Sequence, residues 1–174
     1  MRKVILNVAI SLDGFIEGPN GEYDWCFTDQ DYGMSTFLKN IDAIFYGRKS
    51  YEMMLRADFP GENPFIDFKT YVFSETLQTP YPNTQLISSD FAEEVKKLKQ
   101  SAGKDIWLFG GASLLDSFLK EGLVDQLSLA VHPLLLGEGK RLFQKMSART
   151  TLTLLNSTSY TSGLVMLLYE IGKK

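Results

Sequence analysis

Six short apolar runs punctuate the chain: Val4 to Ile10, Ala43 to Tyr46, Tyr71 to Phe73, Ile106 to Phe109, Leu127 to Val131 and Leu164 to Ile171. Most are apolar at consecutive rather than alternate positions. A strand that is apolar on both faces belongs in a sheet covered on both sides, which favours parallel pairing. Between the first four runs lie segments with helical spacing. From Asp29 to Asn40, Met34, Leu38 and Ile41 form one stripe with Phe37 beside it. Further helices are predicted from Arg48 to Leu55, from Asp90 to Ser101 and from Ala112 to Glu121. The third opens on Asp90 and Glu93 in capping-box spacing and closes near Gly103; the fourth ends at Gly122.

Alternating strands and helices predict an α/β fold. After Gly122 the pattern turns to strands and turns. Asp125–Val131, Gly137-Glu138-Gly139 and Leu152–Leu155 precede a Thr161-Ser162-Gly163 turn into Leu164–Ile171, which predicts an antiparallel hairpin finishing the sheet. The irregular stretch from Ala57 to Asp67, with Pro60, Gly61 and Pro64, is long enough to be functional.

The length of 174 residues suits a single domain spanning 1–174. The net charge of -3 lacks the basic footprint of phosphate-backbone binding, so nucleic acid is not an expected partner. Apolar stretches such as Leu164 to Tyr169 fall far short of the roughly 20 residues a bilayer crossing needs. The start, Met1-Arg2-Lys3 and then Val4 to Leu12, resembles a signal peptide only faintly. Asn7 interrupts it, no small-residue cleavage site follows, and it reads as a first strand. One cysteine, Cys26, and one histidine, His132, exclude an internal disulfide and the usual zinc sites, and fit a reducing cytoplasm. No metal is expected. His132 sits before Pro133 in an apolar run and reads as structural.

Two strand-to-helix junctions carry glycine. In Tyr46-Gly47-Arg48-Lys49-Ser50-Tyr51-Glu52 two cations follow the glycine where a helix begins. Helix N-termini expose free N–H groups and partial positive charge, so the pair either greets an anion such as phosphate or is simply solvated. In Trp107-Leu108-Phe109-Gly110-Gly111-Ala112-Ser113 two glycines end an apolar strand and permit close approach of a ligand, or make an ordinary turn. Ligands of open α/β sheets bind at the carboxyl ends of strands, so both junctions can face one site. Two such junctions with Arg48 and Lys49 suggest a long diphosphate ligand; neither G-x-G-x-x-G nor G-x-x-x-x-G-K-[ST] occurs, so it is not bound in Rossmann or P-loop fashion. Asp31 falls on the stripe of Met34, Leu38 and Ile41. There a carboxylate is desolvated and raised in pKa, suiting proton relay or the holding of a polar heterocycle; the alternative is a helix cap.

These motifs resemble a family. Gly47-Arg48-Lys49-Ser50-Tyr51-Glu52 looks like the G-R-x-[ST]-[WY]-E motif of dihydrofolate reductases, and Ile106 to Gly111 resembles their second nucleotide-binding junction. Val8-Ala9-Ile10-Ser11-Leu12-Asp13-Gly14, Gly122-Leu123-Val124-Asp125-Gln126-Leu127 and Pro133-Leu134-Leu135-Leu136-Gly137-Glu138-Gly139 are more similar to the riboflavin-biosynthesis reductase branch, the RibD C-terminal domain. The resemblance implies a single-domain dihydrofolate reductase-like fold with a mostly parallel central sheet flanked by helices, and NADPH as cofactor. It implies that Arg48, Lys49 and Ser50, following Gly47, hold the pyrophosphate and 2′-phosphate, with Ser74 near the adenosine. Gly110, Gly111, Ala112 and Ser113 would contact the diphosphate and nicotinamide side, and Ala9 and Ile16 would line the nicotinamide pocket. Asp31 would be the catalytic, substrate-facing carboxylate, with Trp25 in the loop above the substrate. That loop departs from the dihydrofolate reductase pattern, having Asp24-Trp25 where a Pro-Trp pair is common.

The reading that follows is an NADPH-dependent reductase passing hydride to a C=N or C=O of a pteridine- or pyrimidine-like small molecule. The alternatives are a non-catalytic NADP(H)-binding interaction module and a flavin or sugar-phosphate binder. A homodimer is expected by analogy, with Leu127-Ser128-Leu129 and the terminal hairpin offering the surface.

Overall fold

The computed structural model describes residues 1–57, 64–79, 81, 83–144, 146 and 148–172. Its strands are β1 (Val4–Ser11), β2 (Phe15–Glu17), β3 (Ile41–Gly47), β4 (Lys69–Phe73), β5 (Thr84–Ile87), β6 (Asp105–Gly110), β7 (Gln126–His132), β8 (Lys140–Arg141), β9 (Leu152–Ser159) and β10 (Val165–Ile171). Its helices are α1 (Met34–Lys39), α2 (Arg48–Arg56), α3 (Phe91–Gln100) and α4 (Ala112–Lys120).

Eight strands make one sheet in the order β5-β4-β3-β6-β1-β7-β10-β9, and β2 pairs with β8 in a separate ribbon. All pairings from β5 to β7 are parallel. β10 runs antiparallel to both β7 and β9. This is the α/β sheet with a C-terminal antiparallel hairpin that the pattern predicts.

The chain moves outward from β1 to β3, β4 and β5, then returns through α3 to lay β6 between β3 and β1. α1 and α2 cover one face, where Phe37, Leu38 and Met54 pack on Ile41, Ile44, Tyr46 and Trp107. α3 and α4 cover the other, where Val95, Leu115 and Phe118 pack with Val4, Leu6, Phe45 and Leu108. β3 and β6 are therefore apolar at successive positions, as read.

β1 and β7 differ from the two-sided expectation. Asn7, Ala9, Gln126, Ser128, Ala130 and His132 alternate along them and line a cleft instead of a helix contact. The helices of that face make their main contacts with β3 and β4, and Phe37 of α1 packs edge-on against Trp107 of β6.

Three local expectations are corrected. The first helix begins at Met34 rather than Asp29, because Tyr32 (φ 47°) and Gly33 (φ 81°) are left-handed. The capping box at Asp90 does not form: Asp90 is left-handed (φ 48°), makes no side-chain cap, and Glu93 instead pairs with Lys96. Leu127, Ser128 and Leu129 are buried within the chain rather than offered to a partner, because β7 lies between β1 and β10. Of the irregular stretch from Ala57 to Asp67, positions 58–63, with Pro60 and Gly61, lie outside the described residues, and 64–67 form turns.

Candidate active site

The carboxyl ends of β3, β4, β5 and β6 open onto a cleft of about 660 Å³, lined by Gly47, Ser74, Ser88 and Gly111 among others. Tyr46 pairs with Gly110 across β3 and β6, so the starts of α2 and α4 come together. A Cβ on Gly47 would lie 3.5 Å from the Gly110 carbonyl oxygen, and one on Gly111 would lie 3.3 Å from Ser50 Oγ. The first is ordinary contact and the second is tight only against a side chain; the position that needs glycine is Gly110, whose φ of 110° L side chains rarely adopt. The peptide between Gly110 and Gly111 is cis. Neither helix has a side-chain cap. Their first N–H groups and the positive ends of their dipoles face a concave space, the arrangement that receives phosphate. This donor set and the glycine cradle fit the diphosphate of a dinucleotide. Arg48, Lys49, Ser50, Ala112 and Ser113 also line the cleft, so the structure gathers the junction residues into one place.

The two cations are not equivalent. Arg48 Nε bonds Glu52 Oε1 at 2.7 Å, and its Nη1 donates to Thr76 Oγ1 at 3.3 Å. Tyr81 donates its hydroxyl to the same Glu52 oxygen at 3.0 Å. Hydrogen bonding from Arg48 holds the Glu52 carboxyl below its usual range. Lys49 has no ion-pair partner among the described residues. Ser74 accepts the N–H groups of Thr76 (3.3 Å) and Leu77 (3.1 Å), shaping the turn after β4.

A second cleft, about 990 Å³, opens on the bare face of the sheet. Its floor is the alternating row from β1 and β7 with Met166, Leu168, Asn156 and Thr158 from the hairpin; Trp107, Phe109, Phe37 and Phe27 supply aromatic walls. Phe109 lines the second cleft and Gly111 the first, so the chain passes from one cleft to the other through Gly110. Ala9 lines this second cleft, whereas Ile16 packs against the main core from β2 and lines neither.

Asp31 lines the second cleft but is solvent-exposed. Its Oδ1 accepts the Ser35 hydroxyl at 2.6 Å and the Ser35 N–H at 2.9 Å. The Ser35 hydroxyl, then its N–H, holds the Asp31 carboxyl below its ordinary value. The expectation of a desolvated, raised carboxyl is thus overturned: the helix starts after Asp31, which caps it from outside. Asp31 stands ionised at the rim, suited to hold N–H groups or water rather than to give up a proton itself.

The loop between β2 and α1 is pinned by His132. Buried at the end of β7, its Nε2 accepts the Phe27 N–H at 3.0 Å, and its Nδ1 lies 2.9 Å from the Ala130 carbonyl. These partners define a neutral ring with the proton on Nδ1. Burial pushes the His132 pKa below its usual 6.5. Trp25 stands edge-on to His132, ring centres 5.2 Å apart, and its indole Nε1 is buried without a hydrogen-bond partner among the described residues. Trp25 lines neither cleft, so it does not stand over the substrate as the resemblance implies. Cys26 lines the second cleft, and burial pushes its thiol up to about 11, so it stays protonated.

The sequence reading missed Asp13, Glu17 and Lys140. Asp13 accepts the Ser11 hydroxyl (2.6 Å) and the N–H groups of Leu136 (3.1 Å) and Gly137 (2.8 Å). The Ser11 bond, with the Gly137 and Leu136 N–H groups, holds its carboxyl down at about 2. Two motifs quoted separately from the sequence are thus one unit. Among the described residues no group of His, Cys, Asp and Glu could hold a metal ion, and no helix is long and apolar enough to cross a membrane.

A doubly wound sheet whose helix starts meet over glycines at the strand ends defines an open α/β protein with its ligand cleft at the topological switch point. The chain belongs to the RibD C-terminal domain family, whose model matches residues 2–166. It is 44% identical to the uncharacterized protein YyaP of Bacillus subtilis over 178 residues, covering 97% of this chain and 95% of that one. A Shewanella sp. PV-4 protein ascribed to riboflavin biosynthesis superposes with a TM-score of 0.83 at 24% identity, covering 99% of this chain and all (100%) of that chain. A Thermotoga maritima diaminohydroxyphosphoribosylaminopyrimidine deaminase/5-amino-6-(5-phosphoribosylamino)uracil reductase gives 0.74 at 17% identity, over 98% of this chain and 57% of the longer enzyme.

Proposed function

We propose that the chain is an NADPH-dependent reductase acting on a C=N or C=O of a pteridine- or pyrimidine-like small molecule. The observation that carries this is the placing of an anion-receiving cleft and an aromatic-walled one on either side of Gly110, with Gly111 lining the first and Phe109 the second. The first is shaped for a dinucleotide and the second for a flat, polar heterocycle. Family membership and the Thermotoga reductase's fold support the same reading.

NADPH, when bound, supplies the hydride; the chain's own residues bind, orient and exclude water. The free N–H groups of α2 and α4, with Ser50 and Ser113, receive the diphosphate. Lys49 is the cation free to meet the 2′-phosphate, and Arg48 does so only by loosening from Glu52. Asp31, ionised, holds N–H groups of the substrate and positions water that delivers the proton. Trp107 and Phe109 flank the heterocycle. Cys26, protonated, is no nucleophile. The exposed edge strand β9, with Leu152, Leu154 and Leu155 outward, supports a homodimer, and a reducing cytoplasm suits the lone thiol.

The test is a titration of the purified protein with NADPH followed by nicotinamide fluorescence. A panel of pteridines, aminopyrimidines and carbonyl compounds is then scanned for loss of reduced-nicotinamide absorbance. Saturable binding and turnover of a heterocycle are expected. Failure to bind NADPH would sink the reading, and binding without turnover across the panel would favour the non-catalytic module.

A further inference from the structure

The unit built from Ser11-Leu12-Asp13-Gly14 and Gly137-Glu138-Gly139-Lys140 places a third cation in the first cleft. β2 and β8 pair with Glu17 opposite Lys140. A Cβ on Gly139 (φ 134°) would lie 2.2 Å from the Glu17 carbonyl oxygen, so only glycine allows this ribbon. Behind it, Arg141 stacks 4.6 Å from the centre of the Phe15 ring and donates to the Asp13 carbonyl at 3.3 Å. The ribbon therefore fixes where Lys140 points. Lys140 lines the cleft of Gly47 and Gly111, its Nζ 3.8 Å from where a Gly111 Cβ would sit, a point 3.3 Å from Ser50 Oγ. Its one ion-pair partner among the described residues is Glu17, at 2.8 Å, and the two side chains are 33% and 31% exposed.

A cation beside two uncapped helix N-termini is unfavourable unless negative charge is also present. In the free protein Glu17 supplies that charge through its ion pair with Lys140. We infer that Lys140 is a ligand of the dinucleotide diphosphate and that Glu17 is its counter-ion, displaced when phosphate oxygens take its place. The inference rests on the dinucleotide reading above. It gives the glycine-rich segment after β7 a role in binding, and it makes Glu17 a brake on affinity.

The two partners then shift binding in opposite directions. Calorimetric titration with NADPH, NADH and ADP-ribose should show Lys140→Met weaker by about tenfold for all three, since they share the diphosphate. Lys140→Arg should retain most of the affinity. Glu17→Gln should bind all three about threefold tighter, because Lys140 no longer has a competing carboxylate. Weakening by both Lys140→Met and Glu17→Gln would overturn the inference, leaving the pair a structural strut. A loss confined to NADPH would overturn the diphosphate assignment. Should Lys140→Met fail to fold, the sign of the Glu17→Gln change decides. Wild-type binding that Lys140→Met leaves untouched sinks this inference alone, whereas a wild type that binds none of the three sinks the dinucleotide reading with it.

Discussion

The two clefts are built on different principles. The smaller one is made of backbone: two helix starts, bare glycine, and short polar residues at strand ends. Each part belongs to a contiguous motif of a few residues, and the sheet only brings the parts into line. The larger one is made of side chains from strands and a loop far apart in sequence, and no contiguous motif describes it. A backbone site tolerates surface exchange but depends on its glycines, while a side-chain site depends on the groups that hold its walls.

The sharpest way to break the comparison is at His132. His132→Ala removes the acceptor of the Phe27 N–H and leaves a hole under Trp25, at a residue only 2% exposed. Thermal unfolding should report a loss of about 2–3 kcal/mol. NADPH affinity should stay near wild type, because the smaller cleft shares no wall with this loop. A parallel collapse of cofactor binding would show that the two clefts are one unit.

Asp31→Asn tests the larger cleft without dismantling it. Asn caps as well as Asp, so the bonds from Ser35 persist and the unfolding temperature should barely move. Turnover should fall by about tenfold with the lost charge, at unchanged NADPH affinity. A protein that loses stability and keeps its turnover would make Asp31 a cap and nothing more.

In the smaller cleft, Lys49→Ala should weaken NADPH by about threefold to fivefold and leave NADH unchanged, as for one solvent-screened charge pair. Arg48→Ala should do less, since Arg48 is already held by Glu52 and Thr76. Equal losses for NADPH and NADH in a fluorescence titration would remove the 2′-phosphate assignment.

The smallest effects are those of pH. His132 binds its proton less readily folded than unfolded. Its contribution is full above the unfolded value of 6.5 and is lost as the pH falls below it, because the unfolded chain takes up the proton first. Asp13, held at about 2 against 3.8, contributes above pH 3.8, and that contribution drains away between 3.8 and about 2. Wild type should lose stability between pH 7 and 5 more steeply than His132→Gln in thermal melts. Equal slopes would mean that His132 is not the group titrating there.

How much of this could be read in advance follows from the same contrast. Gly47 with Arg48 and Lys49, and Gly110 with Gly111, were legible because strand end, turn and helix start are adjacent in the chain. The floor of the larger cleft left a fainter trace. Gln126, Ser128, Ala130 and His132 alternate with Leu127, Leu129 and Val131, the period of a strand with one open face, which the long apolar runs mask. Asp31 was misjudged because its stripe assumed a helix running through Gly33, and a left-handed glycine ended that assumption.

Sequence by itself determined the α/β alternation, the terminal hairpin and both glycine-led helix starts, since these rest on propensity and spacing within a few residues. Only the tertiary structure decided that Phe27 hangs on a histidine 105 residues away, that Asp13 ties down Gly137 124 residues on, and that Lys140 turns into the cleft of Gly111. Those contacts depend on strand register and on which face each strand leaves bare, and register is a property of the whole sheet.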